Sequence, residues 1–304
     1  MKVVHPRHLL IASLLATSVV AETENDPPPP PETSTLHTEK VVLPLESDAP
    51  RPTIEALING KGPFLFVLDT GAQGLVINAD LARELELPVV GTAAMGDPSD
   101  PQAIEVDRVG IESIEIGGVT LAGVVADSWE PPPAMKGHLK GRGIFGVSML
   151  AAFLVTFDYP GSKIVIEKGS LSDRDGGNIL KWRATGDGLP TLRLTVGGVD
   201  FDAHLDSGSP GILTLPENAL KKLSYLKEPV VVGRGRTVNS DFEIWRGTLD
   251  GKAKLGTHIV DNPDLTFVSM LNSTGYANIG SAFLRDFVVT FDYGNGLIAF
   301  ERGE

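Results

Sequence analysis

The sequence predicts an all-β fold made of two similar halves with a few short helices. Two observations carry this prediction. From about Glu39 onward the chain is mostly short apolar or alternating runs separated by Gly, Pro, Asn and Asp, which is the pattern of strands joined by turns. The chain also repeats itself. "FVLDTGA" at Phe66 to Ala72 returns as "AHLDSGS" at Ala203 to Ser209, with Asp206 lying 137 residues after Asp69. Phe201, Leu205, Gly208 and Gly211 keep that spacing from Phe64, Leu68, Gly71 and Gly74.

A second repeated block fixes the halves. "GIFGVSMLAAFLVTFDYPGSKIVIEKG" from Gly143 aligns without a gap to "ANIGSAFLRDFVVTFDYGNGLIAFERG" from Ala277, an offset of 134. Eleven of its 27 positions are identical, whereas unrelated segments would share roughly two. The smaller offset implies a short deletion in a second-half loop.

The elements follow in order. Residues 1–21 combine basic Lys2 and Arg7 with an apolar run from Leu9 to Val20 and small residues before Ala21, the pattern of a cleaved signal peptide. That run is too short to span a membrane, which takes roughly 20 apolar residues. Residues 22–38 are acidic and proline-rich and are expected to form an extended tether. The first lobe is expected over 39–169, a connection over 170–179 and the second lobe over 180–304. Each half reads as strand, tight turn, strand, short helix. "NADLARELEL" sets Leu81 and Leu85 four apart and "PENALKKL" sets Leu220 and Leu223 three apart.

Composition excludes several function classes. The formal net charge of -13 argues against nucleic acid, which selects clustered Lys and Arg. The chain has no cysteine, so an exported protein of this kind holds its fold by burial, and a bacterial periplasm or exterior fits that best. Six histidines, without His-Glu pairs at ligand spacing, point away from a metal site, and no cofactor is expected. The triplet Asn272-Ser273-Thr274 is a chance glycosylation match.

One Asp on a tight turn in each half can bring two carboxylates together across a pseudo-two-fold axis. Like charges at close range cannot both ionise, so the pair shares a proton and titrates as a unit. One carboxylate can then take a proton from water while the other protonates a peptide carbonyl oxygen.

The repeat, the paired Asp-Thr-Gly and Asp-Ser-Gly turns, and the later "IFG" and "NIG" segments followed by "TFDY" resemble the bilobal pepsin-like aspartic proteases. The resemblance covers nearly the whole chain after residue 40. It implies two pseudo-symmetric β-barrel-like lobes of the acid-protease fold, a six-stranded psi-loop arrangement in each, and a polypeptide substrate in the cleft between them. It further implies Asp69 and Asp206 as the catalytic pair, with Thr70 and Ser207 locking the turns together. Gly71 and Gly208 would permit the turn geometry, as glycine's access to positive φ also suggests.

Three departures matter. Pepsin-like enzymes carry Ser or Thr after each Asp-Thr-Gly, where the hydroxyl bonds the outer carboxylate oxygen; the second lobe has Ser209 but the first has Ala72, as in the retroviral-type branch. Losing that donor should raise the Asp69 pKa and move the optimum to weakly acidic pH. None of the four tyrosines lies in the first-lobe flap region, roughly Thr92 to Ile116, although "GDPSDPQ" at Gly96 to Gln102 suits a mobile tip. Residues Glu22 to Glu39 contain no Lys or Arg, unlike a basic propeptide.

Other residues read more simply as structural. His204 is expected as a hydrogen-bonded core histidine because its first-half counterpart is Val67, and Asp158 and Asp292 as turn residues. Trp129 and Trp245 could line a pocket, but aromatics in β-proteins are more often core. "EPPPAMKGHLKGRG" at Glu130 to Gly143 reads as a surface loop. The sequence thus reads as an exported, monomeric aspartic endopeptidase without stable membrane insertion. A peptide-binding relative that no longer cuts, or an envelope scaffold whose proline-rich tether holds a partner near the membrane, are the alternatives.

Overall fold

The computed structural model describes residues 27–45, 51–95, 104–131, 141–171, 178–184, 189–236 and 241–303. The signal-like segment 1–21, the tip Gly96–Gln102, most of the loop 130–143 and most of the connection 170–179 lie outside the described residues. Among the described residues no helix is long and apolar enough to cross a membrane.

The first half contributes β1 (Thr33–Leu36), β2 (Lys40–Pro44), β3 (Thr53–Ile58), β4 (Lys61–Asp69), β5 (Leu75–Asn78), β6 (Val89–Met95), β7 (Ile104–Ile116), β8 (Val119–Trp129), β9 (Gly143–Gly146), β10 (Leu154–Asp158) and β11 (Lys163–Glu167). The second contributes β12 (Ile179–Lys181), β13 (Arg183–Ala184), β14 (Pro190–Val196), β15 (Val199–Asp206), β16 (Leu213–Pro216), β17 (Tyr225–Arg236), β18 (Asp241–Leu249), β19 (Lys252–Leu255), β20 (His258–Asp261), β21 (Asp264–Val268), β22 (Ala277–Gly280), β23 (Phe287–Asp292) and β24 (Leu297–Arg302). The fold is all-β, as the turn-punctuated apolar runs require.

In the first half the strands follow the order β8-β5-β9-β4-β3-β7, and β7 pairs back with β8 to close a barrel. Its centre is a psi arrangement: β9 lies between β4, to which it is parallel, and β5, to which it is antiparallel. The second half repeats this with β22 between β15 and β16. There the wall matching β7 is broken into β18 and β19 at Gly251, whose φ of 148° few other residues adopt. The loop from Ser269 to Tyr276 is shorter than its first-half counterpart from Glu130 to Arg142, in keeping with the expected deletion.

The halves join through a third sheet ordered β12-β24-β23-β10-β11-β2. Its two central strands are the two "TFDY" copies, paired so that Thr156 faces Thr290 and their hydroxyls bond at 2.8 Å. These two threonines are repeat copies of one another, so the pseudo-two-fold axis passes between them. One apolar core runs through both halves; Phe66, Leu68, Phe145, Phe157, Leu205, Phe267, Ile279 and Phe291 all lie in it.

One expectation needs correction. Ordered chain begins before Glu39: β1 pairs with β8, Leu36 is buried, and the Pro28 ring packs on Gly74 behind the first Asp turn. Composition had pointed to a tether because such a segment builds no core alone, but it can still add an edge strand to one. The helices are short, as expected. The first (α1) spans Ala79–Glu84 and ends where Glu86 turns to φ 54°, while Leu81 and Leu85 are both buried as expected. The other, after Pro216, is a 3-10 turn, Glu217–Lys222.

Candidate active site

Both repeated Asp turns begin where a central strand of its half ends. β4 runs beside β9 to the pair Asp69–Gly146, and β15 runs beside β22 to Asp206–Gly280. Each turn folds over the opposing glycine: Gly146 N–H donates to the Gly74 carbonyl at 2.8 Å and Gly280 N–H to that of Ile212 at 3.0 Å. A Cβ on Gly146 would run into the Ala72 and Gly74 carbonyls and one on Gly280 into those of Gly211 and Ser209, so glycine is required for close approach.

Thr70 and Ser207, both fully or almost fully buried, lock the turns together. The Thr70 hydroxyl donates to the Leu205 carbonyl at 2.7 Å and accepts from the Ser207 N–H at 2.9 Å. The Ser207 hydroxyl donates to the Leu68 carbonyl at 2.9 Å and accepts from the Thr70 N–H at 3.0 Å. Each hydroxyl thus gives one bond and takes one across the axis, and buried polar groups are stable only when paired in this way.

The lock sets the carboxylates against each other's turns. A Cβ on Gly71 would lie 3.0 Å from Asp206 Cγ, and one on Gly208 would collide with Asp69 Oδ2. Neither glycine has a positive φ. The φ-based reason given for them is therefore replaced by a steric one: the space a side chain would need is filled by the other aspartate.

Asp69 Oδ1 accepts from the Gly71 N–H at 2.8 Å, and Asp206 Oδ1 from the Ser209 N–H at 2.9 Å. Asp206 Oδ2 accepts from Asn278 Nδ2 at 2.6 Å. Ser209 therefore supports Asp206 through its backbone, and an amide from β22 bonds the second oxygen, where a Ser209 hydroxyl had been expected. Arg51 joins from the other half, its Nε donating to the Gly208 carbonyl at 2.6 Å.

Burial is the largest influence on both acids. It raises Asp69 above the usual carboxylate range against the Gly71 and Gly208 N–H groups and Arg51. Burial and then the charge of Asp69 push Asp206 up to about 7, opposed by the Ser209 and Gly208 N–H groups and Arg51. Burial and the mutual charge thus favour the neutral form of a carboxyl in this pair.

The pair opens into a cleft of about 440 Å³ lined by Arg51, Asp69 and Asp206 together with Phe242, Ile244 and Arg246 of β18. Each half carries one long antiparallel strand pair, β6–β7 and β17–β18, and of these β18 lines the cleft. Among the described residues no cluster of three or more acidic or histidine side chains could hold a metal ion.

The sequence-predicted residues Asp69, Thr70, Gly71, Ser207, Gly208 and Ser209 gather around Asp206 as one group. The bland readings of the others hold. His204 is buried, with Nδ1 3.3 Å from the Pro190 carbonyl and its ring edge-on to Tyr276. Asp158 accepts from the Gly161 N–H, and Asp292 from the Asn295 and Leu171 N–H groups. Trp129 packs on Ala93 and Val106 while also lining a separate cavity of about 430 Å³, Trp245 packs against the main core, and neither lines the cleft. Arg51, Asn278 and Arg246 were missed. Asn278 alone left a signal, a polar residue opposite Ile144 in the otherwise apolar repeat.

Residues 54–149 match the aspartyl protease family model. The match runs from β3 to the helical turn after β9 and includes Asp69, Thr70 and Gly71; it supports an aspartyl protease family, and with it a protease hydrolase. No curated protein matches the chain.

Proposed function

We propose that this chain is an exported, monomeric aspartic endopeptidase in which Asp69 and Asp206 together activate water for attack on a peptide bond. The observation that carries the reading is the crossed hydrogen bonding of Thr70 and Ser207, which holds two half-buried carboxylates against one another's turns. Purely structural turns have no need of two acids whose ionisation their burial opposes.

With one proton shared, the ionised carboxylate removes a proton from water and the resulting hydroxide adds to the carbonyl carbon. The neutral carboxyl gives its proton to the carbonyl oxygen. The tetrahedral adduct collapses as a proton passes to the amide nitrogen, the C–N bond breaks, and a carboxyl and an amine leave with the dyad again holding one proton. Asn278 orients Asp206, while Arg51 ties the second turn to the first half. Substrate lies extended against the β17–β18 hairpin and bonds through its main chain in the manner of an added strand.

The test is incubation of the protein with unfolded casein from pH 3 to 8, beside Asp206→Asn, with fragments read by mass spectrometry. Cleavage that disappears in the folded variant is expected. Undiminished cleavage in the variant, or none from the parent at any pH, overturns the reading.

A further inference from the structure

The two halves present an arginine at matching places in their cleft-side sheets and treat it differently. In the first half the register runs Arg108, Asp127, Val76, Ile144 across β7, β8, β5 and β9. In the second it runs Arg246, Thr266, Thr214, Asn278 across β18, β21, β16 and β22. Arg108 is buried and ion-paired to its strand neighbour Asp127 at 3.1 Å. The equivalent neighbour of Arg246 is a threonine, and among the described residues no carboxylate lies within ion-pair distance of Arg246.

That is notable in a chain of net charge -13, where Arg83, Arg142, Arg183, Arg193 and Arg234 all sit on carboxylates. Arg246 and Asp206 both line the cleft. Phe242, Ile244 and Arg246 alternate along β18 and so face the same side, two residues apart, matching the spacing of same-side residues in an extended peptide laid beside them. Val268 stands opposite Ile244 and completes an apolar seat next to the charged one.

We propose that the cleft selects extended polypeptides carrying an acidic side chain two residues from a large apolar one, the apolar group seated on Ile244 and Val268 and the carboxylate on Arg246. The substrate supplies the partner that Asp127 supplies within the first half. As a statement about cleavage this rests on the peptidase reading; as a statement about binding it does not.

The experiment uses unstructured peptides that contain Leu or Phe and, two residues to either side, Glu, Gln or Lys. Hydrolysis is followed with the parent and binding with Asp206→Asn. Glu is expected to exceed its isostere Gln by about tenfold in both readouts, the size of one charge-assisted hydrogen bond. Thr266→Asp, which gives Arg246 the internal partner Arg108 already has, should bring Glu and Gln to parity. Arg246→Glu should favour Lys. Equal handling of Glu and Gln by the parent, or no peptide bound at all, overturns the inference. A Glu preference in binding with no peptide cut leaves it standing and removes the peptidase reading instead.

Discussion

Gly71 and Asp206 are in contact across the pseudo-two-fold axis: a Cβ on residue 71 would stand 3.0 Å from Asp206 Cγ. The same relation holds between Gly208 and Asp69. Each turn therefore forms the seat of the other turn's carboxylate, and neither acid can be positioned without both halves of the chain.

It follows that Gly71→Ala should displace Asp206 while leaving the backbone conformation accessible, because φ there is not positive. The expected outcome is a fall in kcat/KM of roughly a hundredfold, the cost of an ångström-scale misplacement of a reacting group. Steady-state kinetics beside an unchanged circular dichroism spectrum would check it. Full activity would show that the seat has slack.

Thr70→Val keeps the shape of the lock and removes its hydroxyl. The Leu205 carbonyl and Ser207 N–H then lose their partner in a buried place, which should cost about 1–3 kcal/mol for each group left unpaired. Urea unfolding of the variant should show a lower midpoint at unchanged slope.

The pH dependence of stability has a definite sign. Asp206 is raised from 3.8 to about 7 on folding, mainly by burial and the charge of Asp69. A raised acid stabilises the fold below its unfolded value, and this contribution is lost as pH rises through the folded one. Asp206→Asn should therefore be more stable than the parent at pH 8, by on the order of a few kcal/mol, with the gap closing toward pH 4. Thermal melts across that range would check this. A gap independent of pH would mean that the carboxylate is not the source.

Asn278 donates to Asp206 and favours its charged form. Asn278→Leu, which copies the apolar side chain of Ile144 in the first half, should raise the Asp206 pKa and carry the alkaline limb of the rate profile to higher pH. A profile that keeps its shape and merely drops in height would assign Asn278 a structural role only.

Much of this was legible in the sequence. The register of the two "TFDY" strands, with Thr156 facing Thr290, could be anticipated from the repeat because a two-fold relation makes equivalent residues meet at the axis. Asp69 and Asp206 were readable from the repeated turns, and the roles of Thr70 and Ser207 from the resemblance to the pepsin-like aspartic proteases.

What the sequence determined by itself is the doubling: two turns, two acids, two hydroxyls and an all-β frame, all written in local order and repeated at fixed spacing. Tertiary structure alone decided how the copies differ. It set Asn278 on one carboxylate and left Ile144 in the matching place on the other side. Arg51 reached the Gly208 carbonyl from 157 residues away, and Arg246 faced a threonine where Arg108 has an aspartate. Spacing along a chain reports which neighbours recur, whereas the partner of a charge depends on which strands lie side by side, and that is fixed only when the sheets form.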